Sequence, residues 1–599
     1  MEKQIKVALA SPKIKLANPV YNAKICAESA SEACNGGMDV IVFPELALTG
    51  STCGDLFFQE TLIETAFEAL KIYIEQTREL DILSFIGMPL CIDSMLYNSV
   101  VALSRGKIIG VSASGETSRH FAPAPKGKNK ITLFGSEVPF SQEVVYKEGG
   151  TRANIFVRIG DDSTALYSGV DIILNPAAMT EYVGLAEKRR EFARSLSSSL
   201  GIPLAVVGAG EGESGTDGIY AAPRLVAANG EIIAESPLFT SDILFTKIDL
   251  KKQKNAGTYA DFDDETVVST PFVPTDAAKR AEVCDLALEI QARALSLRME
   301  RAYAKKAVIG VSGGLDSTLA LLCAARAVDI LGIDRKNIIA ITMPCFGTTE
   351  RTKGNALSLA CELGCTVNTI DIKAAVNQHF ADISHDEKDY SAVYENAQAR
   401  ERTQILMDIA NSVGGLVVGT GDLSELALGF ATYNGDHMSM YAVNASIPKT
   451  LMRAMISHFA DKAEKDGNQK LSSVLTDVVN TPVSPELLPA QDGENAQHTE
   501  KIVGPYELHD FFLYYTVKYG YSPKKVYELA VSVFEDYESD DILKYLNVFV
   551  RRFFSQQFKR SCLPDGPRVT EISLSPRTAW QMPSDVSCET WLKSLDLKS

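Results

Sequence analysis

Short β-branched runs alternate with longer polar stretches of helical period along the first 250 residues. Val7-Ala8-Leu9 leads to a helix near 20–35, and Asp39-Val40-Ile41-Val42-Phe43 forms the next strand, ending at Pro44-Glu45. A helical stretch at 59–79 precedes a strand over Ile82–Met88, and Asn98–Leu103 turns through Ser104-Arg105-Gly106-Lys107 into Ile108-Ile109. Gly169–Asn175, a charged helix at 185–200 and Leu204–Gly208 continue the series, and Asn229-Gly230 supplies a tight hairpin signal. The pattern predicts an α/β sandwich over residues 1–255. The chain then turns polar from 251 to 275 and meets Pro271 and Pro274, which reads as a linker over 256–275. A helix at 276–303 feeds the apolar strand Ala307–Val311, and strand–helix alternation to about 450 predicts a parallel, doubly wound sheet in a second domain, 276–599. Residues 460–500 read as polar and partly mobile, and 505–560 as helical.

Composition narrows the class. The 599 residues are 46% hydrophobic and 23% charged, ordinary values for a globular chain with sizeable cores. A net charge of −17 argues against non-specific nucleic-acid binding and against docking on an anionic membrane. No apolar run approaches the ~18–20 residues needed to span a bilayer. The opening MEKQIKVALASPKIKL lacks the apolar core of a signal peptide. Eleven scattered cysteines with no CxxC pair, and seven histidines, disfavour a zinc site or a disulfide framework and suit a reducing cytoplasm.

The sharpest chemical signal is Val308-Ile309-Gly310-Val311-Ser312-Gly313-Gly314-Leu315-Asp316-Ser317-Thr318. An apolar strand runs into a Ser-Gly-Gly turn that opens a helix. Paired glycines let backbone N–H groups approach a phosphate, and the helix N-terminus adds its positive end. An aspartate so close to a phosphate suggests a metal bridging the two. There is no GxxxxGK[ST], so this is not the loop that hands on a γ-phosphoryl group. SGGxDS resembles the signature of the ATP pyrophosphatase superfamily, which cleaves ATP between its α- and β-phosphates.

Flanking blocks narrow the resemblance. Thr342–Thr349, Glu395–Arg402, Gly419–Asp436, Asn444–Lys449, Gln557–Ser561 and Leu574–Arg577 follow in order. They look like the two-domain, nominally glutamine-dependent NAD synthetases, rather than GMP synthetase, asparagine synthetase or tRNA-thiolating enzymes. That resemblance implies an adenine nucleotide alpha hydrolase-like synthetase domain, with deamido-NAD, ATP and ammonia as substrates and Mg²⁺ as cofactor. It assigns Gly310, Ser312, Gly313, Gly314, Asp316, Ser317, Thr420 and Lys449 to ATP, and Asp316 and Glu425 to the metal. It assigns Asn396, Glu425, Phe430, Ala431, Thr432, Tyr433 and Lys559 to deamido-NAD. Asp316, Lys449 and Asp436 become the catalytic candidates, Asp436 as acceptor of a proton from ammonia. Other readings stay open: Asn396 as a helix cap, Phe430 as core, Lys559 on a solvated face. The family also implies a homo-oligomer.

The first half resembles the nitrilase-like (carbon-nitrogen hydrolase) amidase fused to that synthetase, which needs a glutamate, a lysine and a cysteine nucleophile. Val42–Gly50 carries the glutamate as Glu45. Ser114 stands where the lysine is expected, and Gly160, in Arg158-Ile159-Gly160-Asp161-Asp162, where the cysteine is expected. No cysteine lies anywhere between Cys91 and Cys284. The expectation is therefore a folded but silent amidase, with free ammonia or a separate glutaminase supplying nitrogen. The alternatives are glutamine used through an unconventional nucleophile, and a non-catalytic paralogue.

Overall fold

The computed structural model describes residues 4–160, 167–250, 267–348, 350–386, 388–481 and 503–595, arranged as two compact units. The first unit comprises Met1–Glu181, Leu185–Ser214 and Ile219–Asp263; the second comprises the rest. Most of the expected linker 256–275 falls outside the described residues.

In the first unit, an eight-stranded sheet runs in the order Leu244–Asp249, Gln4–Leu9, Val40–Val42, Leu83–Ile92, Met95–Ser104, Lys107–Ala113, Ser136–Ser141, Lys130–Leu133. A six-stranded sheet runs Glu231–Glu235, Arg224–Ala228, Leu204–Gly208, Ile172–Ala177, Asn154–Val157, Val145–Lys147. The alternating apolar positions read from the sequence form the layer between the two sheets: Val7, Val42 and Phe85 from one meet Ile155, Leu174 and Val207 from the other. Helices Pro19–Asn35 and Glu60–Thr77 cover the outer face of the first sheet through Cys26, Ala30, Leu70 and Tyr73. Helix Leu185–Leu200 covers the second through Ala193. Asn229 (φ 57°) and Gly230 (φ 80°) adopt the left-handed pair that a two-residue hairpin requires.

The second unit holds a five-stranded sheet, ordered Thr366–Thr369, Ile338–Thr342, Lys306–Gly310, Gly415–Gly419, Tyr441–Ala442, with every neighbouring pair parallel. From the central strand Lys306–Gly310 the order departs in opposite directions, which opens a crevice at the carboxyl ends of the strands. Helix Leu315–Ile330 is buried along nearly its whole length, from Leu319 to Ala325 and on to Val328. Its amino end is thereby fixed at that crevice.

One expectation is corrected. Within 460–500, for which no regular element was expected, helices Lys449–Lys465 and Gln469–Val479 occupy most of 460–479, the second burying Leu475 and Val478 on one face. The remainder, 482–502, lies outside the described residues. The 505–560 region is helical, over Tyr506–Tyr519, Pro523–Val533, Ser539–Ser555 and Gln557–Arg560. No helix among the described residues is long and apolar enough to cross a membrane.

Candidate active site

A cavity of about 290 Å³ opens at the crevice of the parallel sheet. Gly313 takes φ +87°, and a Cβ there would lie 2.1 Å from the Thr352 carbonyl oxygen, so only glycine fits. The loop is laced by its own serines: Ser317 Oγ accepts from Ser312 N–H at 3.3 Å, and Ser312 Oγ accepts from Gly314 N–H at 3.2 Å. Gly310, Ser312, Gly314, Asp316, Ser317 and Thr420 all line the cavity. Asn444 ties the loop to the neighbouring strand end, donating to Asp316 O at 3.0 Å and Thr420 O at 2.9 Å.

Three carboxylates converge beside the loop, each offering an oxygen within 4.8 Å of the others: Asp316, Asp422 and Glu425. Lys449, 2% exposed at the first position of its helix, places Nζ among them, 2.7 Å from Asp316 and 2.9 Å from Glu425, and also paired with Asp422. Burial alone would push Asp316 up, but the Lys449 charge and its hydrogen bonds hold it below the usual carboxylate range. Burial raises Asp422 well above that range and Glu425 to about 7. Burial opposes the charge on Lys449, yet the three acids hold its pKa well above the usual lysine value. Sequence reasoning placed Lys449 on the phosphates; here it stands as counter-ion to the acids. It missed Asp422 as a site residue. The available signal was local, since Asp422 caps helix Leu423–Leu428 by accepting from Glu425 N–H at 2.9 Å, an Asp-x-x-Glu start that puts both acids at one helix end.

Three hard oxygen donors gathered beside the loop, with a single ammonium among them, are a donor set of the kind that holds a divalent cation.

The far wall comes from the segment after Gly429. Phe430, Ala431 and Asp436 line the cavity, together with His437 and Arg402, which the sequence reading had not singled out. Lys559 Nζ donates to Gly429 O and Ala431 O, both at 2.7 Å, so it holds this segment rather than facing solvent. Asp436 accepts from Thr432 N–H at 2.6 Å; burial raises its pKa, opposed by that bond and by Lys559. Tyr433 is 38% exposed and stacks on His437, centroids 5.5 Å apart. Asn396 lies in helix Ala392–Val413, past its first turn, and does not line the cavity.

In the first unit the structure also gathers the three residues expected of the amidase centre. Glu45 accepts from Asn98 Nδ2 at 2.7 Å, and Asn98 O accepts from Ser114 N–H at 2.9 Å. Ser114 Oγ accepts from Glu116 N–H at 3.2 Å. The Glu116 carboxylate occupies the space that a side chain at Gly160 would enter: a Cβ there would lie 2.8 Å from it, and Gly160 has φ +74°. Burial pushes Glu45 up to about 7, with Glu116 and Glu213 adding to the rise against the hydrogen bonds from Asn98 and Ala178. Nothing in the sequence marked Glu116 or Glu213 as members of this group.

The raised Glu45 gives a stability prediction. Between the ordinary glutamate pKa and about 7 the unfolded chain releases this proton while the folded chain keeps it, so Glu45 lowers stability as pH rises through that window. Glu45→Gln should match the parent near pH 4 and exceed it above pH 7, by up to about 3 kcal/mol at about 1.4 kcal/mol per pKa unit. Urea midpoints of the two proteins across pH 4–8 test this; a difference independent of pH would refute it.

Residues 288–534 match the NAD synthase family and residues 6–256 the carbon-nitrogen hydrolase family. The glutamine-dependent NAD(+) synthetases of Mycobacterium tuberculosis and Mycobacterium leprae are each 33% identical over 99% of this chain and 98% of theirs. The crystal structure of a glutamine-dependent NAD(+) synthetase from Cytophaga hutchinsonii, 20% identical, superposes with a TM-score of 0.80 over 99% of this chain and 100% of its own, a likeness of fold.

Proposed function

The chain belongs to the two-domain NAD(+) synthetase family, and we propose that it forms NAD from deamido-NAD in two steps, with nitrogen entering as ammonia that its own N-terminal domain does not release. In the first step the nicotinate carboxylate attacks the α-phosphorus of ATP and pyrophosphate leaves. In the second, ammonia attacks the acyl-adenylate carbonyl, AMP leaves and a proton is shed. The Gly313-Gly314 turn and the amino end of helix Leu315–Ile330 receive the phosphates, where backbone N–H groups oppose their charge. Lys449 supplies a fixed positive charge at the same end of the cavity. Lys559 and Asp436 shape the wall against which the nicotinate lies, and Asp436, facing the cavity, accepts the proton from ammonia. A divalent cation of the Mg²⁺ type, held by Asp316, Asp422 and Glu425, would supply charge neutralisation at the phosphate oxygens. The eleven cysteines are all unpaired, which supports a reducing cytoplasm as its place of work.

The observation that carries the nitrogen reading is the missing thiol. No cysteine lies between Cys91 and Cys284, and the position expected for one is Gly160, pressed against a glutamate. The relatives' name favours a second reading, in which glutamine is the ultimate donor, its amide freed by a separate glutaminase or by a nucleophile other than cysteine. The purified chain, given ATP, Mg²⁺ and deamido-NAD, is expected to form NAD with ammonium chloride and not with glutamine alone. NAD formed from glutamine at a comparable rate, without any added protein, would overturn the ammonia reading and leave the synthetase assignment standing.

A further inference from the structure

The charged centre is assembled from three separate pieces of chain: Asp316 on the loop helix, Asp422 capping and Glu425 within Leu423–Leu428, and Lys449 at the start of Lys449–Lys465. Four like and unlike charges held within hydrogen-bond distance will splay or collapse unless the backbones that carry them are fixed. Two of the three pieces are bolted together by a residue outside the centre. Asp510, 1% exposed on helix Tyr506–Tyr519, accepts from Ser424 Oγ, from Thr450 N–H at 3.0 Å and from Thr450 Oγ1 at 2.7 Å. Ser424 in turn accepts from Lys449 N–H at 2.8 Å. Ser424 stands between Asp422 and Glu425 in sequence, and Thr450 directly follows Lys449, so the bonds fall beside the charged centre without using the side chains of Asp422, Glu425 or Lys449.

The same helix makes a second contact one turn earlier. Tyr506, four residues before Asp510 and so on the same face, lies with its ring 5.4 Å from Lys449 Nζ. Burial, opposed by hydrogen bonds from Ser424 and Thr450, leaves the Asp510 carboxyl with a pKa of about 6. An acid so deeply enclosed is costly to keep unless its bonds are made, and here they are.

We infer that Asp510 is a positioning residue for phosphate chemistry: through Ser424 and Thr450 it fixes the spacing of Asp422, Glu425 and Lys449. The inference rests on the synthetase reading above. It concerns the rate of adenylation rather than the grip on deamido-NAD, because Asp510 touches neither the cavity wall after Gly429 nor Lys559. Asparagine at 510 keeps the volume and one acceptor oxygen but loses the charge: its amide nitrogen either opposes the Thr450 N–H or presses on the Ser424 hydroxyl, which already accepts from Lys449 N–H, so the charge-assisted bonds that close the clamp weaken.

The test is steady-state kinetics of the full chain with ammonium chloride, reading pyrophosphate and NAD, beside the thermal midpoint of each protein. D510N is expected to lose at least about tenfold in kcat, with KM for deamido-NAD unchanged within about twofold, since misplacement of order 1 Å at a reacting centre is that costly. S424A and T450V should each lose several-fold in kcat, T450S should behave as the parent, and D510N/T450V should be no slower than D510N alone. A D510N enzyme within about twofold of the parent in kcat, or losses that simply multiply in the double variant, would overturn the inference. If D510N does not fold, S424A and T450V decide: parental kcat in both refutes the clamp. A parent chain that makes no NAD from either nitrogen source would instead refute the synthetase reading, which separates the two failures.

Discussion

Asp316→Asn is expected to fold as the parent does and to lose at least about a hundredfold in both pyrophosphate release and NAD formation, the scale seen when a group facing transition-state charge is removed. The fold should survive because the loop is held by bonds that do not involve this carboxylate: Ser312 with Ser317 and Gly314, and Asn444 with the Asp316 carbonyl oxygen. Lys449 also keeps its pairs with Asp422 and Glu425, so no buried charge is stranded. What changes is the negative charge beside the helix amino end and one of the three oxygen donors that converge there. Loss of pyrophosphate release is the informative readout, since it reports adenylation before any nitrogen source matters. A variant that still releases pyrophosphate at the parental rate would remove Asp316 from the chemistry.

How much of this could be read from residues alone differs by kind of feature. The loop at 310–317 was legible because its signal is local: an apolar strand, two glycines and a helix start, all within a dozen positions. The α/β layering was legible for the same reason, as periodicity of buried positions in Gln4–Leu9, Val40–Val42 and Lys306–Gly310. Strands Lys130–Leu133, Ser136–Ser141 and Val145–Lys147 were not, because short strands with exposed faces show charged alternation that resembles loop. Helix Gln469–Val479 was hidden by its polar content, although Leu471, Val474, Leu475 and Val478 carry helical spacing. The placement of Lys449 needed the third dimension, since its partners lie some 25 to 130 residues away in sequence, whereas Asp422 showed only the local mark of a helix cap. The Glu116–Gly160 contact joins two loops with no pattern in either.

Gly313→Ala should damage the same site for a different reason. The φ of +87° lies outside the region open to an L side chain, and the added Cβ would meet the Thr352 carbonyl oxygen at 2.1 Å. Backbone cannot yield as a flexible side chain can, so either the turn or the start of helix Glu350–Glu362 must shift. A shift of the turn redirects the N–H groups proposed to receive the phosphates, while Asp316, Asp422, Glu425 and Lys449 keep their own contacts. The loss should therefore appear first as weaker ATP binding, with KM for ATP raised by about tenfold or more, and only then as slower turnover. Strain of this kind costs on the order of 1–3 kcal/mol, so the thermal midpoint should fall by several degrees without loss of cooperative folding. Gly314, at φ −89° with only Ser312 Oγ near its missing Cβ, provides the control: Gly314→Ala should leave the midpoint nearly unchanged. Equal midpoints and equal KM for ATP in the parent and Gly313→Ala would show that the turn is not held against Thr352, and would withdraw the loop from the phosphate site.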